Sequence, residues 1–232
     1  MSQRGLSSRR EAESYISRGL VYVNGHKINE PGTKLLPTDI ITIKRPQNEA
    51  PKITVLVNKP IGYVSSQPEK NYKSAVSLIT PENRSASHYS KRKFRRSHLR
   101  GLAPAGRLDI NSTGLLVFTQ DGLIAKHLIG NNTQTEKEYV VRILGSLTDS
   151  KIRKLSEGMS LDDTRLKPAK VTRTKKDQLN FILQEGKKRR IRRMCEKLDL
   201  QVITLHRIRI GKILLGPLKL GTWRYLNNSE EF

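Results

Sequence analysis

Along the first forty-odd residues the apolar positions are sparse and change period once. Over Leu6–Ile16, Ala12, Tyr15 and Ile16 fall on one helical face while Arg9 and Arg10 point elsewhere, which predicts an amphipathic helix. Ser7 or Ser8 can cap it, Glu11 completes a capping box from Ser8, and Arg18-Gly19 supplies the stop. Val21 and Val23 then alternate as a strand, Asn24-Gly25 turns a hairpin, and Thr33 to Ile43 returns as a further strand region ending in Ile40–Ile43. Two prolines and few apolar residues mark 46–52 as a linker between a module at 1–45 and a domain at 53–232. There the pattern changes to continuous apolar runs. Residues 53–57 and 115–119 read as buried strands, 136–143 and 179–184 as further strands, and 123–128 and 148–155 as helices. Asn58 to Gly62 reads as a sharp turn out of the sheet, and Asp121-Gly122 as a turn after the second buried run.

Composition narrows the partner. The 232 residues carry 44 Lys and Arg against 21 Asp and Glu, a formal net charge of +23, and such an excess requires a polyanion. No apolar run approaches the ~18 residues of a spanning helix, and residues 1–20 lack the apolar core of a signal peptide. Cys195 is the only cysteine, which excludes an internal disulfide. The histidines at 26, 88, 98, 127 and 206 show no metal-ligand spacing, so no metal site is expected. These features point to a cytoplasmic, metal-free protein that binds nucleic acid and does not enter a membrane.

Two basic runs sharpen that expectation. Residues 84–100 hold Arg84, Lys91, Arg92, Lys93, Arg95, Arg96 and Arg100 with no intervening acid, and read as a mobile loop that orders on RNA. Six of the seven residues from 187 to 193 are basic, with Ile191 and Met194 suggesting a helix whose apolar side packs. Between the runs lies Gly106-Arg107-Leu108-Asp109-Ile110-Asn111-Ser112-Thr113-Gly114, a polar loop entering a buried strand. On local grammar Asp109 is first a turn or cap residue, and second a carboxylate held at the lip of a sheet. Tyr139, alone on its strand, reads as packing, and Arg9 and Arg10 as a solvated helix face.

Gly106-Arg107-Leu108-Asp109, then Gly114-Leu115-Leu116, Thr119 and Asp121-Gly122, resembles the catalytic motif of the RNA pseudouridine synthases, in the ribosomal group RsuA/RluB/RluE/RluF, closest to its large-subunit (RluF-type) members. Asn58-Lys59-Pro60-Ile61-Gly62 resembles that family's first motif, and Lys137 with Tyr139 and Val141 its second. Ile191-Arg192-Arg193-Met194 resembles the third, and Leu218 to Leu226 the closing run around Trp223, read as a packing anchor. Ser8-Arg9-Arg10-Glu11-Ala12, Gly19 and Val21 to Gly25 resemble the S4 RNA-binding module. That module usually opens with a further short helix for which Met1–Arg4 leave no room, implying weakened RNA binding. Asn111 stands where the group often has Asp, and Arg190 where it frequently has Gln.

The resemblance implies an α+β fold: a small S4-like module, then a catalytic domain on a mixed, mainly antiparallel sheet. It implies a monomeric ribosomal RNA pseudouridine synthase, acting on a structured stem-loop, 23S by expectation, without cofactor or metal. Asp109 would be catalytic. Tyr139 would stack on the uracil, Ile191 would lie near the base, and Arg192 would pair with Asp109. Arg107, Leu108, Ile110, Arg189 and Arg190 would contact the RNA at the site, and Arg9 and Arg10 its phosphates. A non-catalytic ribosome-assembly protein and a base-releasing glycosylase are the rival readings.

Overall fold

The computed structural model describes residues 1–45, 50–67, 71–86, 92–130, 133–184, 186 and 189–232. Most of the linker, His88, Tyr89 and Lys91 of the first basic run, and Lys187 and Lys188 of the second lie outside the described residues. Helix α1 (Arg9–Ser17) starts from Ser8, whose hydroxyl accepts from the Glu11 amide while the Glu11 carboxylate accepts from the Ser8 amide. Gly19, at φ +65°, lets the chain leave the helix. Strands β1 (Val21–Val23) and β2 (His26–Ile28) form a hairpin with Asn24 and Gly25 both at positive φ, and β3 (Ile41–Ile43) completes an antiparallel sheet of order β2-β1-β3.

Residues 33–40 are not strand, contrary to the strand region read over Thr33 to Ile43 in the sequence. Their backbone carbonyls are claimed from elsewhere: the Arg4 guanidinium takes those of Leu36, Pro37 and Asp39 at 2.6, 3.0 and 2.5 Å. The Asp39 carboxylate accepts from the Asn24 side chain and the Leu36 amide.

The larger domain is built on one large sheet, with two short two-stranded pairs beside it. The main strands of the large sheet are β4 (Thr54–Lys59), β5 (Thr113–Thr119), β6 (Lys137–Leu144), β7 (Lys170–Lys175), β8 (Gln178–Leu183), β9 (Gln201–Ile210) and β10 (Trp223–Tyr225), in the order β7-β8-β6-β9-β5-β4-β10. Among the described residues every pairing along that order is antiparallel except β9 with β5, which is parallel at His206–Thr113 and Arg207–Gly114. The sheet is therefore mixed and mainly antiparallel.

The parallel joint divides the core. On one side α3 (Asp149–Glu157) and α4 (Arg190–Glu196) cover β6, β7 and β8, burying Leu155, Phe181, Ile191 and Met194. On the other side β4 and β5 are buried throughout on both faces, apart from half-buried Thr113. Leu116 and Phe118 pack toward Trp223 and Tyr225, while Leu115 and Val117 pack toward Leu128 of α2 (Gly122–Ile129). Period-two alternation explains how one strand serves two clusters. Tyr139 packs against both half-cores, so it sits at their seam.

Candidate active site

Loop 107–111 enters β5 at that seam, and its backbone is held residue by residue. The Arg107 carbonyl accepts from Arg207 Nη1 at 3.3 Å. Ser65, 4% exposed, donates to the Leu108 carbonyl and accepts from the Leu108 amide, both at 2.8 Å. The Asp109 carbonyl accepts from the Ser112 amide at 3.0 Å, and the Ile110 carbonyl from the Gly62 amide at 3.0 Å. Arg192 Nη2 donates to the Asn111 carbonyl at 2.7 Å. Donors from several parts of the chain thus fix five consecutive residues. The Asp109 side chain itself is half-buried and, among the described residues, forms no hydrogen bond or ion pair. An oriented but unengaged carboxylate is what a reacting group needs before its substrate arrives.

Lys59 and Arg192 feel its charge. Lys59, fully buried on β4, donates to the Pro60 and Tyr63 carbonyls at 2.8 and 3.0 Å, holding the turn that carries Gly62. Burial pushes the Lys59 ammonium down to about 8, with Asp109 pulling the other way and Arg207 adding to the lowering. Burial likewise pushes Lys137 down to about 8, again with Arg207 contributing. Arg192 is lowered by burial and by Arg189, and raised by Asp109. Its carboxylate pairing is not found: no ion pair to Asp109 lies within 4.0 Å among the described residues, because both terminal guanidinium nitrogens are engaged by the Asn111 and Val202 carbonyls. Arg192 fixes the loop rather than the carboxyl group in this arrangement.

Other expected site residues separate into two sets. Arg107, Arg189, Arg9 and Arg10 are exposed, and Ile110 and Tyr139 are half-exposed. Arg189, at φ 50°, turns the chain into α4 and projects at its start. Leu108, Ile191 and Arg190 are buried. Leu108 and Ile191 are 7% and 4% exposed and belong to the two half-cores, so their apolar side chains stabilise the sheet and present little surface to RNA. Arg190 is 3% exposed, its guanidinium bonded to the Lys167 carbonyl. A basic run at the start of a helix must bury some of its members, and spacing alone did not say which. His206, its pKa lowered by burial, bonds Thr113 Oγ1 at 2.7 Å across the parallel joint. The Cys195 thiol, pushed up to about 12 by burial, is an unreactive core group.

The first basic run is also not the coreless loop its composition implies. Over residues 92–100 it is pinned to the sheet. Phe94 lies 5.6 Å from the Trp223 ring, and His98 Nδ1 pairs with the Tyr225 hydroxyl at 2.6 Å. Gln120 donates to the His98 and Arg100 carbonyls. Lys93, Arg95, Arg96 and Arg100 stay exposed on this anchored ledge. The sparse aromatics of the run, interleaved with charge, were the available signal for the anchoring.

A family model of RNA pseudouridylate synthases matches residues 53–197, and one of S4 domains matches residues 1–41. Dual-specificity RNA pseudouridine synthase RluF of Shigella flexneri is 32% identical over 234 residues, 99% of this chain and 74% of that protein. Ribosomal large subunit pseudouridine synthase B of Buchnera aphidicola is 34% identical, covering 98% and 88%. A crystal structure of a pseudouridylate synthase superposes with TM-score 0.69 at 24% identity, over 98% of this chain and 94% of the other.

Proposed function

From a chain that belongs to the RNA pseudouridylate synthase family and carries an S4 domain, we propose an enzyme that isomerises one uridine of large-subunit ribosomal RNA, with Asp109 as its catalytic group. The observation that carries the reading is the Asp109 carboxylate, unengaged at the centre of a loop held at five consecutive residues. The two relatives described above are named for RNA pseudouridine synthesis, one of them for the large ribosomal subunit.

The target lies inside a stacked RNA stem, so the uridine must first be turned out. Tyr139, half-exposed at the seam, offers the flat face on which the extruded base rests. Asp109 then acts on the ribose or the uracil and the N1–C1′ bond breaks. The base rotates in place, C5 bonds to C1′ and loses its proton, and N1 takes one up. Atoms and electrons balance within the nucleotide, so no cofactor is called for. Lys59, buried, and Arg192, half-buried, place positive charge beside the Asp109 loop. Arg107 and Arg189 flank the opening and hold the displaced backbone, while Arg9, Arg10 and the ledge of Lys93, Arg95, Arg96 and Arg100 contact phosphates farther out. We place the enzyme in the cytoplasm, as a monomer on a structured stem-loop of 23S RNA.

The test is a pseudouridine-specific chemical map of unmodified ribosomal RNA treated with wild-type protein or Asp109→Asn. A single new site with wild type and none with the variant is expected. No site with either, despite salt-sensitive RNA binding, would return the chain to a ribosome-assembly role, and free uracil would mark a glycosylase.

A further inference from the structure

Arg207 is absent from the roles above, yet it links the parts that carry them. It is 2% exposed on β9, between β5 and β6. Its Nε donates to the Leu115 carbonyl at 2.7 Å, and its Nη1 reaches the Arg107 carbonyl at 3.3 Å and the Tyr139 hydroxyl at 3.5 Å. Its Cζ lies 5.9 Å from the Tyr139 ring centroid. One side chain therefore touches the residue two before Asp109, the catalytic strand six after it, and the ring opposite.

Stability does not account for such an arginine. Among the described residues it has no carboxylate within ion-pair distance, and its buried Nη2 has no partner. A buried charge without an acid costs more than an apolar side chain of similar volume. Nor is it needed to neutralise anything, since its charge opposes those of Lys59 and Lys137. What Arg207 does provide is a fixed span between the Asp109 loop and Tyr139 on β6, which share no direct hydrogen bond among the described residues.

We propose that Arg207 is a positioning residue, setting the separation of the Tyr139 ring from the Asp109 loop so that a base resting on the ring meets the carboxylate. The inference rests on the reading of Asp109 and Tyr139 given above. Its test uses the full chain and an unmodified ribosomal RNA transcript, under single-turnover and steady-state conditions.

Arg207→Met should lower the chemical rate about 100-fold, the scale of a misplacement near 1 Å, with RNA affinity within about threefold of wild type. Arg207→Lys, which keeps the charge but cannot span all three acceptors, should recover about tenfold of that loss. The losses from Arg207→Met and Tyr139→Leu should not multiply in the double variant, since both undo one arrangement. Circular dichroism at the assay temperature checks folding, and if the Met variant is unfolded the Lys variant carries the test through its kcat against its KM.

A folded Arg207→Met with unchanged rate would overturn the proposal. So would a loss confined to RNA affinity, or losses that multiply. Failure of the underlying site reading looks different: wild-type protein would be inactive, or Asp109→Asn would be as active as wild type.

Discussion

Gly114→Ala would test the parallel joint on which the site depends. Gly114 has φ +107°, and a Cβ there would lie 2.6 Å from the Arg207 amide nitrogen and 2.9 Å from its carbonyl carbon, closer still to its carbonyl oxygen. These are backbone atoms of a paired central strand, so no side chain can swing aside. The backbone conformation alone costs an alanine about 1–3 kcal/mol. Overpacking adds roughly 1–3 kcal/mol as β9 is pushed from β5. The sum, about 2–6 kcal/mol, is a large share of a stability of roughly 5–15 kcal/mol. Urea denaturation followed by circular dichroism measures it as a lower midpoint at unchanged slope. The displaced strand also carries Arg207, so the single-turnover rate should fall in conditions where the variant is still folded. A loss below about 0.5 kcal/mol, the ordinary scatter of neutral substitutions, with wild-type rate, would refute the close approach and the argument built on it.

Three further outcomes follow from the same geometry. Gly122 begins α2, where alanine is intrinsically better by about 1 kcal/mol, but its Cβ would sit 2.8 Å from Glu11 Oε2 and closer to the Ser8 side chain. Gly122→Ala should therefore loosen the S4 module, seen as a larger radius of gyration and faster hydrogen exchange in α1; unchanged scattering and exchange would contradict this. Replacing Arg95, Arg96 and Arg100 with serine should weaken RNA binding and reduce the log–log salt slope by about 2–3, at roughly 0.7–0.9 per phosphate contact; an unchanged slope would remove the ledge from the RNA interface. Lys137 titrates near 8 in the folded protein against 10.5 for the free side chain, so between those values the unfolded chain holds the extra proton and stability rises with pH. Thermal melts of wild type should show a steeper rise across that window than Lys137→Met, and parallel curves would count against the buried lysine.

Local chemistry determined much of this protein from sequence alone. The capping box of Ser8 and Glu11, the Asn24-Gly25 turn and the apolar runs at 53–57 and 115–119 depend on neighbours a few residues away, and the helix, the hairpin and strands Thr54–Lys59 and Thr113–Thr119 form over them. Charge excess named a polyanion, and the run around Asp109 named the reaction. Only the tertiary structure decided which charges are available. Arg190, Arg192 and Arg193 look alike in sequence, yet one bonds the Lys167 carbonyl, one holds the Asn111 carbonyl, and one pairs with Asp162. The ledge at 92–100 is ordered by Trp223 and Tyr225, which lie more than a hundred residues away. Arg207 carries no local signal at all. Its place follows from a parallel joint that brings β9 against Gly114, and such a contact between distant strands cannot be inferred from residues that are neighbours only along the chain.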